Sequence, residues 1–197
     1  MSKVLVIGGG AAGMFAAIFA AYNGNEVHIF EKNEKLGKKL FITGKGRCNI
    51  TNASDMDTLF ASVVTNPKFL YSSFYGYDNQ NVIEFFERIG VRTKVERGNR
   101  VFPVSDHSSD VIGALTKELH QLGVSIHLHT EVKRVVGEGR FEYLETKDGK
   151  KITGDACIVA TGGFSYQTTG STGDGYRFAE ETGHQVTDIM PALVPLE

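Results

Sequence analysis

Only two cysteines occur in the 197 residues, Cys48 and Cys157, and they lie 109 positions apart. They form no CxxC pair, no metal quartet and no disulfide framework, so a reducing, cytoplasmic setting is expected. Long apolar runs are missing too. No stretch approaches the roughly 18 uncharged apolar residues of a membrane span. The N-terminal run Val4-Leu5-Val6-Ile7 meets glycine at once and is too short for the h-region of a secretory signal. Nor is there an excess of charge of one sign: 21 Lys+Arg face 23 Asp+Glu, for a net charge of −2. A nucleic-acid partner usually needs a basic surplus, so a small-molecule substrate is expected instead. With 41% hydrophobic and 22% charged residues the composition is that of a folded domain, which excludes disorder for the bulk of the chain.

What the chain does have is glycine, 23 of them, in clusters. The β-branched run at 3–7 predicts a buried parallel strand, and Gly8-Gly9-Gly10-Ala11-Ala12-Gly13 follows directly. The segment AAGMFAAIFAAYN is apolar nearly all round and predicts a buried helix stopped at Gly24. A second strand over 26–30 ends at Glu31, completing a βαβ unit. Residues 36–52 are glycine-rich and basic. Ser54 and Asp55 mark a helix start, and 66–90 reads as one or two helices with an aromatic face of Phe69, Phe74, Tyr75, Phe85 and Phe86. A strand is expected over 91–96, a turn at 99–103, and a helix from a Ser108 or Ser109 cap to about Leu122. Next come a strand over 124–130, a β-meander over 132–136, 141–147 and 151–153 with its hairpin at Lys147-Asp148-Gly149-Lys150, a buried strand over 156–160, and a helix over 174–183. The tail PALVPLE is expected to be non-helical. The pattern is α/β, with a parallel core sheet and a smaller antiparallel meander.

Three motifs carry chemistry. Gly8-x-Gly10-x-x-Gly13 lies between a strand and a helix, where Gly8 permits the turn, Gly10 the approach of a pyrophosphate and Gly13 close helix–strand packing. Amide donors and the positive dipole end of the helix would face the phosphates. Glu31, 18 residues after Gly13, is placed for the ribose hydroxyls of a dinucleotide. An acid there disfavours a 2′-phosphate but leaves NAD and FAD open. Ala160-Thr161-Gly162-Gly163 ends a late strand, after a meander has replaced a helical crossover. Lys32 to Arg47 forms an electropositive loop beside the expected diphosphate, followed by Cys48 and Asn49. Cys48 reads as a small packing residue ahead of a redox thiol, since the segment holds no second cysteine. Asp174 suits a helix N-cap as well as a cofactor contact. His107 reads as a cap or surface residue. His127 and His129 alternate on one strand face without partners for a metal. No catalytic acid or base and no metal site is assigned.

Taken in order, GGGAAG, LGKKLFITGKGRCNITN, NRVFPVSDHSSDV, IVATGG, STGDGYRFAEETGH and PALVPLE resemble the HI0933-like flavoproteins, bacterial NAD(P)/FAD-dependent oxidoreductases of the two-dinucleotide-binding superfamily. The resemblance implies a Rossmann-like, three-layer FAD/NAD(P)-binding α/β domain over 1–190. It implies non-covalent FAD, with NAD(P)H as hydride donor and an organic acceptor or oxygen. The implied contacts are Gly8, Gly10, Ala11, Ala12, Gly13, Glu31, Lys32, Arg47, Cys48, Asn49, Val132, Ala160, Thr161 and Gly162. Members run to about twice this length. Residues 191–197 are therefore expected to begin a linker to an inserted domain, and an apolar patch near Phe164 and Tyr166 is expected to be left open to self-association. A non-catalytic dinucleotide-binding fragment and a tRNA-modifying flavoprotein are the alternative readings.

Overall fold

Val4, Leu5, Val6 and Ile7 are all buried, and their strand forms the middle of a parallel sheet. A computed structural model describes residues 1–190; PALVPLE and the expected linker at 191–197 lie outside the described residues. In chain order the strands and helices are β1 (Lys3–Ile7), α1 (Ala11–Tyr22), β2 (Glu26–Phe30), α2 (Lys38–Ile42), β3 (Thr51–Asn52), α3 (Met56–Ala61), α4 (Tyr71–Gly76), α5 (Asn79–Arg88), β4 (Thr93–Glu96), β5 (Arg100–Pro103), α6 (Ser108–Gln121), β6 (Ser125–His127), β7 (Val132–Val136), β8 (Tyr143–Thr146), β9 (Lys151–Thr153), β10 (Ala156–Val159) and α7 (Asp174–Glu181).

The main sheet has the order β10-β1-β2-β6, all parallel, with Val6 paired to Ile158 on one side and to Ile29 on the other. Alternation along β1 divides the core. Val4 and Val6 pack with Met14, Ile18, Leu115, Leu119 and Phe85 under the helices. Leu5 and Ile7 pack on the opposite face with Val132, Leu144 and Phe178, under the antiparallel meander β7-β8-β9. Burying each such side chain contributes about 1.5–3 kcal/mol, so the sheet is fastened on both faces. This is the expected three-layer, Rossmann-like α/β arrangement of helices, parallel sheet and meander.

Several local expectations are corrected. Residues 99–103 are not a turn. Val101 and Phe102 are buried, and β5 pairs antiparallel with both β3 and β4 in a small third sheet, leaving Gly98 and Asn99 as the turn. Residues 66–90 hold two α-helices, one of the two arrangements expected, with the break at Tyr77, which is extended. Asp78 then restarts the helical stretch as a capping box with Asn81. The aromatic face divides with it: Phe85 and Phe86 enter the core, while Phe69 and Tyr75 are exposed. Neither serine caps α6. His107 holds the N-cap position without a side-chain capping bond, and Ser108 Oγ donates to the Phe41 carbonyl at 2.7 Å. The strand expected over 124–130 stops at His127, because the His129 and Thr130 amides turn to donate to the Asn33 and Glu31 carbonyls. His127 and His129 therefore do not share a strand face. Helix α1 is buried along one face rather than all round; Ala11 and Ala12 are exposed, and they are exposed into a cleft.

Candidate dinucleotide cleft

The C-terminal ends of β1, β2 and β10 open onto a cleft of about 530 Å³, within the range of small-molecule sites. In open parallel sheets ligands bind at this edge. Its floor is the turn after β1. Gly8 has φ +104°, and its amide donates to the Phe30 carbonyl at 2.9 Å. A Cβ there would sit 2.5 Å from the Ala160 carbonyl oxygen. Only glycine combines that dihedral with that proximity. Gly13 lies behind the turn rather than in the cleft, where a Cβ would overlap the Gly8 carbonyl oxygen. Gly10, the N-cap of α1, has ordinary backbone angles, and a Cβ on it would meet nothing within 4 Å. The space a side chain would fill at Gly10 is thus open, directly before the N-terminal amides of α1. That is the cradle a diphosphate needs.

Glu31 is 7% exposed at the end of β2. Its Oε2 accepts from the Gly9 amide at 2.7 Å, and its Oε1 accepts from the Asn33 amide at 2.8 Å and from Asn33 Nδ2 at 2.7 Å. These donors hold the carboxylate rigidly at the cleft wall while leaving it lone-pair capacity for a ligand hydroxyl. Lys32 Nζ donates to Thr172 Oγ1 at 2.7 Å and to Asp174 Oδ2 at 2.9 Å, joining β2 to the start of α7. Asp174 is therefore the first residue of α7 rather than its N-cap, a position taken by Gly173. Burial alone would raise the Asp174 carboxyl, but the bonds from Lys32 and Thr172 and the charges of Lys32 and Arg177 bring it below its ordinary value. Val132, Ala160, Thr161 and Gly162 close the far side. Thr161 Oγ1 is a buried side-chain oxygen without a hydrogen-bond partner among the described residues, which a bound ligand group would satisfy. The open space at Gly10, the oriented Glu31 and the unpaired Thr161 hydroxyl all fit an adenine dinucleotide.

The structure thus brings Gly8, Gly10, Ala11, Ala12, Glu31, Lys32, Val132, Ala160, Thr161 and Gly162 together around one cleft. It places Arg47, Cys48 and Asn49 elsewhere. Arg47 Nε donates to Asp106 at 2.9 Å, its Nη2 reaches Glu96 at 2.5 Å, and its guanidinium lies over the Phe102 ring at 4.2 Å. Cys48 is buried, and burial raises its thiol pKa more than the Thr43 hydrogen bond lowers it, as for an inert packing cysteine. The Asn49 amide nitrogen, oriented by its acceptors, lies 3.1 Å from the Val101 carbonyl. The link of this segment to the cleft is backbone: the Cys48 amide donates to the carbonyl of Thr43, a cleft residue. Positive φ at Gly44, Lys45, Gly46 and Cys48 turns the loop, so that Arg47 lies over Phe102 and Asn49 against Val101 of β5 while Cys48 packs into the core under the helices.

Motif reading missed Gly9, Asn33 and Lys39. Gly9 stands between the fingerprint glycines, and only its bond to Glu31 gives it a role. Nothing in the local sequence marks Asn33. Lys39 lies in the basic loop, where six cations look alike until the fold sorts them. Among the described residues no group of three or more His, Cys, Asp and Glu side chains could hold a metal, and no helix is long and apolar enough to cross a membrane.

Residues 2–190 match the HI0933-like protein Rossmann domain. The chain belongs to the HI0933-like family. It is 34% identical to the 3-dehydro-bile acid delta(4,6)-reductase of Clostridium scindens, over 100% of this chain and 48% of that protein. It is 29% identical to the ribosomal RNA dihydrouridine synthase of Haemophilus influenzae, over 98% of this chain and 48% of that protein. The 3-ketosteroid-delta4-(5alpha)-dehydrogenase of Rhodococcus jostii RHA1 has the same fold, with a TM-score of 0.65 at 18% identity over 84% of this chain and 46% of that one. This HI0933-like chain spans about half the length of the curated relatives it matches.

Proposed function

We propose that this HI0933-like domain is the FAD-binding part of a flavin-dependent oxidoreductase. The observation that carries the reading is the cleft itself: an open cradle at Gly10 before the α1 amides, with a pre-oriented Glu31 a strand away. When bound, FAD would supply hydride acceptance from NAD(P)H and delivery to an organic acceptor or oxygen. The residues of this chain then bind and orient. The Gly8–Gly10 turn and the α1 N-terminus receive the diphosphate, Glu31 accepts from the adenosine ribose, and Thr161 gains its missing partner. The relative named a reductase and the relative named a dihydrouridine synthase support reduction as the chemistry of the whole protein.

The test is the absorbance spectrum of purified residues 1–197, with the flavin released by heat and identified by chromatography. NADH and NADPH oxidation are then followed with oxygen or a dye. FAD bound in the cleft supports the reading. A protein that binds neither FAD nor ADP overturns it.

A second reading has its own support, since one relative is named for ribosomal RNA. It gives the whole protein an RNA substrate, although the net charge of −2 lends it little help in this half. Filter binding of an rRNA fragment at two salt concentrations separates the two: salt-sensitive retention favours RNA, and none favours a small molecule.

A further inference from the structure

We propose that Lys39 is the cation that neutralises the diphosphate of the bound dinucleotide. This rests on the cofactor reading above and extends it to a residue outside the glycine fingerprint. Three lysines line the cleft: Lys32, Lys38 and Lys39. Two are engaged within the protein. Lys32 holds Thr172 and Asp174, and Lys38 Nζ lies 3.3 Å from both Asn33 Oδ1 and Glu34 Oε2. Lys39 makes no hydrogen bond or ion pair among the described residues, although its side chain is partly buried. Burial draws its pKa below the ordinary lysine value, with no acid nearby to offset the shift. The acids that line the cleft are already committed: Glu31 to Gly9 and Asn33, Asp174 to Lys32, and Glu131 to Lys147 at 2.8 Å.

The position of the amine says what it awaits. Nζ of Lys39 lies 3.9 Å from where a Cβ on Gly162 would stand. Gly162 follows Thr161, whose Cα is 3.2 Å from where a Cβ on Gly8 would stand. The ammonium thus sits beside Gly162, in the loop after β10 that closes against the glycine turn through Ala160 and Thr161. Its charge, the glycine turn and the N-terminal residues of α1 line the same cleft, and the one carboxylate at the turn, Glu31, is already held by Gly9 and Asn33. A desolvated cation without a counterion is unfavourable, and an anion of two charges arriving there removes that cost. A dinucleotide diphosphate has that charge, and Gly10 leaves the room for it. Paired with Asp174, Lys32 is not available for the same work.

The experiment is calorimetric titration of residues 1–197 and of Lys39→Gln and Lys39→Arg with FAD, ADP and adenosine, after circular dichroism has shown that each variant is folded. Lys39→Gln is expected to weaken ADP and FAD about ten- to hundredfold, the scale of one charge-assisted contact. Adenosine, which lacks the diphosphate, should stay within about twofold, and Lys39→Arg should recover most of the ADP affinity. ADP binding by the wild type should weaken with salt more steeply than by Lys39→Gln. Equal ADP affinity in wild type and Lys39→Gln overturns the proposal while leaving the cofactor reading standing. So does an adenosine loss as large as the ADP loss. A wild-type chain that binds neither ADP nor FAD overturns both.

Discussion

Glu31 accepts three hydrogen bonds before any ligand arrives, from the Gly9 amide and twice from Asn33, so its carboxylate is held in place by the protein. Replacing it should show in two measurements at once. Losing charge-assisted bonds of this kind costs about 1.5–3 kcal/mol. Glu31→Ala is therefore expected to lower the urea midpoint and also to weaken FAD or ADP by roughly 10- to 150-fold, at about 1.4 kcal/mol per decade. An unchanged midpoint with lost affinity would make Glu31 purely a ligand group; the reverse would make it purely structural. The glycines separate in the same way. At Gly10 a side chain meets no protein atom within 4 Å, so Gly10→Val should fold normally and give no heat on titration with ADP. At Gly13 a Cβ overlaps the Gly8 carbonyl oxygen, so Gly13→Val should lose its cooperative melt and fail before binding is asked of it. The fingerprint marks the two residues alike; their neighbours give them different failures.

Among the elements, α5 shows what a cap is worth. Asp78 accepts from the Asn81 amide at 2.8 Å while Asn81 Oδ1 accepts from the Asp78 amide at 3.0 Å, and the helix carries Phe85 into the core. Asp78→Ala is expected to cost about 1 kcal/mol, read as a shift in the urea midpoint with unchanged slope. The three short strands β3, β4 and β5 form an element group of which the sequence showed β4, as the strand expected over 91–96, while β5 reads there as a turn. Arg47, Lys94, Glu96 and Asp106 fasten its edge, with Lys94 Nζ 2.7 Å from Asp106. Hydrogen bonds from Lys94 and Arg47, with a smaller effect of their charges, hold the Asp106 carboxyl below its ordinary value.

At the scale of the molecule, two responses are expected. The first is to pH. His28 and His127 stack at 5.4 Å on neighbouring strands, with a ring nitrogen of each 3.1 Å apart, and Glu26 and Lys3 lie nearby. Burial, with smaller effects from His28 and Lys3, holds the His127 imidazole below its ordinary value of 6.5. The unfolded chain then binds that proton more readily than the folded one. The stability from neutral His127 is fully present above about pH 6.5 and is lost as pH falls from there through the lower folded value. Urea titrations at about pH 7.5 and 5.5 should show this loss, and His127→Gln should reduce it. The second response is to ligand. Binding to the folded state alone adds about 2.7 kcal/mol at a hundredfold excess over Kd, so FAD or ADP should raise the melting temperature while adenosine-free phosphate compounds do so less.

Sequence alone determined the βαβ unit, the glycine turn and the acid at the end of β2, because each depends on neighbours a few residues away. A β-branched run, a glycine that must turn and a helix that must begin are written locally, and so are the Gly24 stop and the Asp55 cap that accepts from the Thr58 amide at 2.8 Å. The meander was legible for the same reason, through alternation and the Asp148-Gly149 hairpin. Partnerships across the fold were not. Residues 99–103 look like a turn until β3, some 50 positions earlier in the chain, pairs with them, Thr51 opposite Val101 and Asn52 opposite Arg100. Lys32 and Asp174 stand 142 positions apart, and only the parallel sheet, by bringing the ends of β2 and β10 to one edge, sets the amine against the carboxylate. That pairing leaves Lys39 without an acceptor in the cleft. The tertiary structure therefore decided which of the three cleft lysines lacks an acid partner among the described residues, since charge pairing depends on distance in space and the sequence records only distance along the chain.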